Sequence, residues 1–278
     1  MKVGIVGLGL IGGSFALAVR ARREDVLLVS DTDQGTLRQA FRLGLVDGLL
    51  DRRSLAEVDL LLIALYPAAA ISWLRENADA IGKGATVVDC AGIKREICAV
   101  GAELAHRFGF CFVGGHPMAG RETWGLSSAS AELFSGASMI LTPPSETDPE
   151  RLSRLRAFFL GVGFGSVTLC TPKDHDRIIA YTSQLAHVLS SAYIGSPTAM
   201  EHRGFSAGSF RDMTRVAAIN AEMWSEIMVS NRDHLLSELD RLTDSLSDFR
   251  RTIAGGDTAA LADMLRRGAE RKHESDLR

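Results

Sequence analysis

The sequence predicts an α/β protein, with an N-terminal Rossmann-type domain built on a doubly wound parallel sheet and an all-helical C-terminal domain. Three observations carry that prediction. Short apolar runs alternate with helical patterns over roughly the first 170 residues. A glycine-rich segment, Gly7-Leu8-Gly9-Leu10-Ile11-Gly12, stands between the first apolar run and the first helical pattern. Beyond residue 170 strand patterns stop and helical periodicity continues.

Residues 3–6 read as a strand, 12–22 as a helix, 26–29 as a second strand and 33–43 as a second helix. Residues 60–65 and 86–89 are buried strands, 95–107 a helix, and 110–113 and 138–141 further strands. Strands covered by helices on both faces read as continuous apolar runs. Right-handed crossovers between them restrict the topology to a doubly wound sheet. The turn-rich segment 142–149 precedes a helix over 150–160 and an edge strand over 165–169. Thr171-Pro172-Lys173-Asp174 is a helix start, with a capping hydroxyl, proline in the first turn and an acid behind it. Helical patterns then cover 173–194, 210–231, 232–254 and 257–273, so the expected domains are 1–170 and 171–278.

Lys and Arg number 31 against 34 Asp and Glu, a net charge of −3, which excludes the basic surface that a nucleic-acid partner requires. Cys90, Cys98, Cys111 and Cys170 form no CxxC pair and read as reduced, buried thiols of a cytoplasmic protein. Residues 3–19 are uncharged like a signal peptide, but their glycines disfavour that helix. Residues 178–200 are uncharged over a length that could cross a bilayer. They contain Thr182, Ser183, Gln184, His187, Ser190, Ser191 and Pro197, and are expected as a helix buried within protein, with no membrane span.

The glycine segment supplies a dinucleotide site. Gly7 allows the tight turn, Gly9 lets a pyrophosphate approach the backbone around Leu8, Leu10 and Ile11, and Gly12 lets the helix pack on the strand. The helix N-terminus adds amide donors and a positive dipole end. Asp31 ends the second strand, 19 residues after Gly12, where an acid bonds the adenosine ribose hydroxyls. Neither Thr32 nor Asp33 is basic, which favours NAD over NADP. The competing reading has Asp31 capping the next helix.

Ligands in such sheets lie beyond the carboxyl ends of the strands. Three motifs fall there: Tyr66-Pro67, expected on the nicotinamide side, the segment from Asp89 to Lys94, and Gly114-Gly115-His116-Pro117. His116 reads as a loop residue that accepts a hydroxyl proton while hydride leaves the same carbon. Ser209 and Asp212 have capping-box spacing, and Arg211 and Arg215 share a helix face near its positive end. A carboxylated substrate would relieve that conflict; pairing with acids such as Asp212 is the alternative. Gln184 and His187 lie one turn apart, and His187 reads as a buried hydrogen-bonding residue or as a substrate contact. Asp174-His175-Asp176 reads as solvated capping, and no metal is assigned.

In this order, Gly7 to Ser14, Asp89 to Lys94, Gly114 to Gly120, Thr182 to His187, Phe210 to Arg215 and Met223-Trp224 resemble the prephenate/arogenate dehydrogenases of tyrosine biosynthesis, over nearly the whole chain. The resemblance implies a homodimer with its active site between the domains. The implied reaction passes hydride from the hydroxyl-bearing carbon of a cyclohexadienol to NAD, with loss of carbon dioxide and aromatisation. It implies that His116 polarises the ring hydroxyl, that Arg215 and Arg211 meet a substrate carboxylate, and that His187 lies on the substrate side. The chain departs from the family where many members carry Ser at Gly92, His at Gln184 and Thr at Arg121, residues expected to border the substrate. No acid awaits an ammonium, which favours prephenate over arogenate. No regulatory domain is expected after the helical one. Another two-domain NAD(P)-dependent hydroxyacid dehydrogenase and a non-catalytic dinucleotide sensor are the competing readings. The Gly-His-Pro motif weighs against the first, and His116 with Arg215 against the second.

Overall fold

The inner strands are built mainly of apolar residues because each face of the sheet is roofed by its own helices. Within β4 (Leu60–Ile63), Leu60 and Leu62 enter one core while Leu61 and Ile63 enter the other. That is the two-residue period of a strand buried on both sides. The computed structural model describes residues 1–22, 25–121 and 123–277, so Arg278 of the expected helical domain lies outside it. Among those residues an eight-stranded sheet has the order β3-β2-β1-β4-β5-β6-β7-β8. It comprises β1 (Lys2–Val6), β2 (Val26–Ser30), β3 (Gly48–Leu49), β4, β5 (Thr86–Asp89), β6 (Cys111–Pro117), β7 (Ser138–Thr142) and β8 (Ser166–Leu169). The chain reverses winding between β1 and β4, the switch point at which dinucleotides bind in this topology.

One core lies under α1 (Leu10–Arg22), α2 (Gln34–Arg42) and α5 (Pro149–Gly161), around stacked Phe134 and Phe164 with Phe15 and Phe159 packed against them. The other lies under α3 (Pro67–Asn77) and α4 (Arg95–Phe108), around Leu61, Leu74, Val87 and Phe112. Asp33, not Asp31, caps α2, accepting from the amides of Gly35 and Thr36.

One strand goes unread in the sequence, and two expectations need correction. β3 is two residues long and leaves no pattern to read. The parallel sheet carries one antiparallel pair, β6 with β7. β6 runs on through Pro117, so Gly114, Gly115 and His116 are strand residues, not loop residues. Only its first residues pair with β5; Gly114 to Pro117 pair with β7 alone, which carries His116 past the end of β5. Glycine and proline disguise a strand that is paired on one side only.

The helical part comprises α6 (Pro172–Ile179), α7 (Ala186–Ile194), α8 (Gly208–Thr214), α9 (Ala221–Ser230), α10 (Arg232–Ala254) and α11 (Thr258–Asp276). A π-helical turn, Ala180–Leu185, interrupts the helix expected over 173–194. The helix expected over 210–231 divides into α8, a 3-10 turn (Arg215–Ala217) and α9. The uncharged 178–200 segment is only partly buried within this chain: Ala180, Gln184 and Ser190 are enclosed, whereas Tyr181 is 62% and Met200 75% exposed. Among the described residues no helix is long and apolar enough to cross a membrane.

Phe15 is fully enclosed and touches three other phenylalanine rings. Phe15→Ala is expected to lower the unfolding free energy by about 3–5 kcal/mol, read from the midpoint and slope of urea denaturation.

Candidate active site

The glycine segment has the conformation its residue types require. Gly7 has φ +86°, and a Cβ there would lie 2.6 Å from the Ala64 carbonyl oxygen. A Cβ on Gly12 would meet the Gly7 carbonyl oxygen at 1.8 Å, whereas one on Gly9 meets nothing within 4 Å. α1 therefore packs directly on the turn, with no acid in its first turn. Its leading amides lack acceptors within the helix, which suits a diphosphate. Asp31 Oδ2 accepts from the Leu8 amide at 2.6 Å and Oδ1 from the Asp33 amide at 2.8 Å. The carboxylate so braces the loop and keeps acceptor capacity for a ribose hydroxyl. These residues fit a dinucleotide.

At the next strand end, Asp89 and Lys94 form an ion pair with both side chains fully buried. The amides of Ala91 and Gly115 also donate to Asp89, at 3.0 and 3.2 Å. Burial raises the Asp89 carboxyl above its ordinary range, and Lys94 opposes the rise. The pair ties the loop after β5 to the extended part of β6, and so to His116. Cys98 beside it is no nucleophile, since burial pushes its thiol up to about 12.

The centre of the site is a chain of three side chains that crosses between the domains. His116 Nδ1 lies 2.8 Å from His175 Nε2, and His175 Nδ1 lies 2.7 Å from Asp176 Oδ1. Asp176 also accepts from the amides of Lys94 and Arg95, at 2.8 and 3.0 Å. Burial works against its charge, but the His175 bond and these two amides prevail and hold its pKa down. An ionised carboxylate only accepts, so His175 carries its hydrogen on Nδ1. Burial, opposed by Asp176, keeps that ring below the ordinary histidine value, and its bare Nε2 accepts from His116 Nδ1. Burial, His175 and Lys94 hold His116 well below its ordinary value. The His116 ring is therefore neutral with Nε2 unprotonated, the form a general base requires.

This corrects the reading of Asp174-His175-Asp176 as solvated capping. Asp174 does sit in solvent, bonded to Thr171 and Arg177, but His175 and Asp176 are buried. The pair looked like helix-start chemistry because its partners lie 59 to 82 residues away in sequence.

Other expected residues divide. His187 stacks on Trp224 with ring centroids 3.7 Å apart, and its Nδ1 donates to the Ser183 carbonyl at 2.8 Å. Gln184 is a correction: it is fully enclosed, donates to the Ile227 carbonyl and accepts from Asn231. A Cβ on Gly92 would lie 3.3 Å from Ile227 Cδ1. Arg121 is exposed on the loop after β6. Tyr66 precedes α3 and is 49% exposed, Pro67 opens that helix, and the Ala68 amide donates to Glu226 of α9 at 2.6 Å. Ser209 caps nothing, since Ala207 is the N-cap of α8. Arg211 lies in the last turn of that helix and Arg215 just beyond it, so the dipole favours both charges instead of opposing them.

The prephenate dehydrogenase nucleotide-binding domain matches residues 15–168, and the prephenate dehydrogenase dimerization domain matches residues 171–267. A cyclohexadienyl dehydrogenase of Zymomonas mobilis is 32% identical, over 92% of this chain and 89% of its own length. The crystal structure of Synechocystis arogenate dehydrogenase is similar at a TM-score of 0.83 and 30% identity, covering 99% of this chain and all of that one. Prephenate dehydrogenase from A. aeolicus, solved in complex with hydroxyphenyl propionate and NAD+, is similar at 0.82 and 26%, covering 99% of this chain and 98% of that one.

The histidine pair sets a sign for acid stability. Both rings take protons in the unfolded chain near 6.5 but resist them when folded. Stability is therefore expected to fall as pH drops from about 6.5 towards the lowered folded values. Imidazole 15N NMR should give midpoints below 6.5 for both rings; a midpoint at or above that value in either would refute the arrangement.

Proposed function

Because the chain belongs to the prephenate/arogenate dehydrogenase family, we propose that it is an NAD-dependent prephenate dehydrogenase. It would convert prephenate to 4-hydroxyphenylpyruvate with loss of carbon dioxide. The observation that carries this reading is the Asp176–His175–His116 chain, which ends in an unprotonated Nε2 at the carboxyl edge of the sheet.

Gly7, Gly9, Gly12 and the backbone of Leu8, Leu10 and Ile11 hold the diphosphate, Asp31 the ribose, and Tyr66 with Pro67 the nicotinamide side. Bound there, NAD supplies the hydride acceptor. His116 Nε2 takes the proton of the ring hydroxyl. Its Nδ1 proton can pass to His175 Nε2, which places the positive charge next to Asp176. Arg215 binds the substrate carboxylate, with Arg211 and His187 near the side chain and Gly92 and Arg121 bordering the pocket. These side chains are predominantly basic, which suits a keto acid with two carboxylates better than an ammonium-bearing one. Arogenate is the second reading, because the Synechocystis and Zymomonas relatives carry arogenate and cyclohexadienyl dehydrogenase names. The exposed apolar side chains Ile178, Tyr181, Tyr193 and Met200 fall in the segment that matches a dimerization domain, which supports a homodimer. The protein is proposed to act in the cytoplasm, with no nucleic-acid or membrane partner.

Absorbance at 340 nm with prephenate or arogenate, each with NAD or NADP, tests the reading. Turnover is expected with prephenate and NAD; turnover with arogenate alone would transfer the assignment to the second substrate. His116→Asn is expected to lose about 10²–10⁴-fold in kcat with the Kd for NAD unchanged by calorimetry. Arg215→Ala is expected to raise KM for the substrate by about ten- to a hundredfold, the loss of one charge-assisted hydrogen bond. An unchanged KM would remove Arg215 from the substrate.

A further inference from the structure

Arg95 ties the two domains together directly behind the histidine pair. It is the first residue of α4, and its guanidinium makes four hydrogen bonds, all to the helical domain. Nε donates to Asp176 Oδ2 at 3.2 Å, and Nη2 donates to Asn231 Oδ1 at 3.1 Å. Nη1 and Nη2 donate to the two oxygens of Asp233, at 2.7 and 2.5 Å. A bidentate guanidinium–carboxylate pair fixes orientation as well as distance. Asn231 is buried, and its Nδ2 donates to the Asp176 carbonyl at 2.8 Å and to Gln184 at 2.9 Å. Arg95 therefore grips Asp176 twice, by its carboxylate and, through Asn231, by its backbone.

We propose that Arg95 is a positioning residue for the general base: its clamp on Asp176, Asn231 and Asp233 sets the place of His175 behind His116. This rests on the reading of His116 as the base. His116 belongs to the sheet, and His175 with Asp176 belongs to the helical domain, so the 2.8 Å bond between the rings exists only while the domains keep one relative placement. A shift of about 1 Å at such a contact is enough to cost two orders of magnitude in rate. The groups facing the histidines are Asp89 at the end of β5, Lys94 from the loop after it, Asp176 from α6, and Arg95 and Asp233 behind it. Without the guanidinium, Asp176 holds the His175 proton more strongly, so the protonation midpoint of the pair moves up.

Arg95→Met, Arg95→Lys and Asp233→Asn separate positioning from mere stability. Arg95→Met is expected to lower kcat by about ten- to a hundredfold, leave the Kd for NAD unchanged, and move the acid limb of kcat/KM upward. Arg95→Lys should recover part of the rate, and Asp233→Asn should show a smaller loss in the same direction. The His116 and His175 imidazole 15N signals should shift in each variant without any substrate present. A lowered melting temperature with wild-type kcat, pH profile and imidazole signals would overturn the proposal. If Arg95→Met does not fold, Asp233→Asn decides by the same readouts. If the wild-type protein turns over neither substrate, the functional reading fails, and the imidazole signals of the variants still decide whether Arg95 positions the pair.

Discussion

The structure depends on carboxylates of the helical domain seated on the positive ends of helices in the sheet domain. Asp176 accepts the first amides of α4, and Glu226 accepts the Ala68 amide at the start of α3. Each contact satisfies helix-terminal donors that have no partner within the helix, and each places negative charge where the dipole favours it. Asp176 is the more consequential, because its side chain is fully buried. It accepts from two amides, from Arg95 Nε and from His175 Nδ1, which fills the acceptor sites of a carboxylate. Docking the domains and setting the tautomer of His175 are thus one event.

The same edge of the sheet is used three ways. After β1 the glycine turn brings α1 close enough for its first amides to face a diphosphate. After β5 the buried Asp89–Lys94 pair holds the loop that opens α4 and accepts the Gly115 amide of β6. β6 itself outruns its parallel neighbour and borrows an antiparallel one, which lifts His116 above the edge. A histidine at the end of a paired strand is held more rigidly than one on a loop, and rigidity is what the proposed removal of a hydroxyl proton and a hydride from one carbon demands. Lys94 adds an electrostatic bias: a buried ammonium near both rings favours their neutral forms.

Much of the site was legible because it rests on local patterns. Gly7, Gly9 and Gly12 occur at a fixed spacing between a strand and a helix, and Asp31 closes the next strand; such signals survive without knowledge of the rest of the chain. His116 was legible from its composition, although its setting was misread. Gly-Gly-His-Pro carries the residues of a loop, and only the pairing of β6 with β7 makes it a strand. His187 and Gln184 share a motif and part company in the structure. The π-helical turn alters the helical phase between them, enclosing Gln184 against Asn231 while His187 stacks on Trp224.

By itself the sequence determined the doubly wound sheet with helices on both faces, the helical second domain, the dinucleotide turn and the identity of the histidine at the sheet edge. Each follows from periodicity or from the steric needs of a few adjacent residues. Only the tertiary structure decided that His175 and Asp176 stand behind that histidine, that Arg95 clamps them, and that the uncharged segment leaves Tyr181, Tyr193 and Met200 open on the surface. These are contacts between residues some 60 to 140 positions apart. Their strength comes from burial and orientation, and a carboxylate five residues into a helix reads as solvated helix-start chemistry until a second domain closes over it.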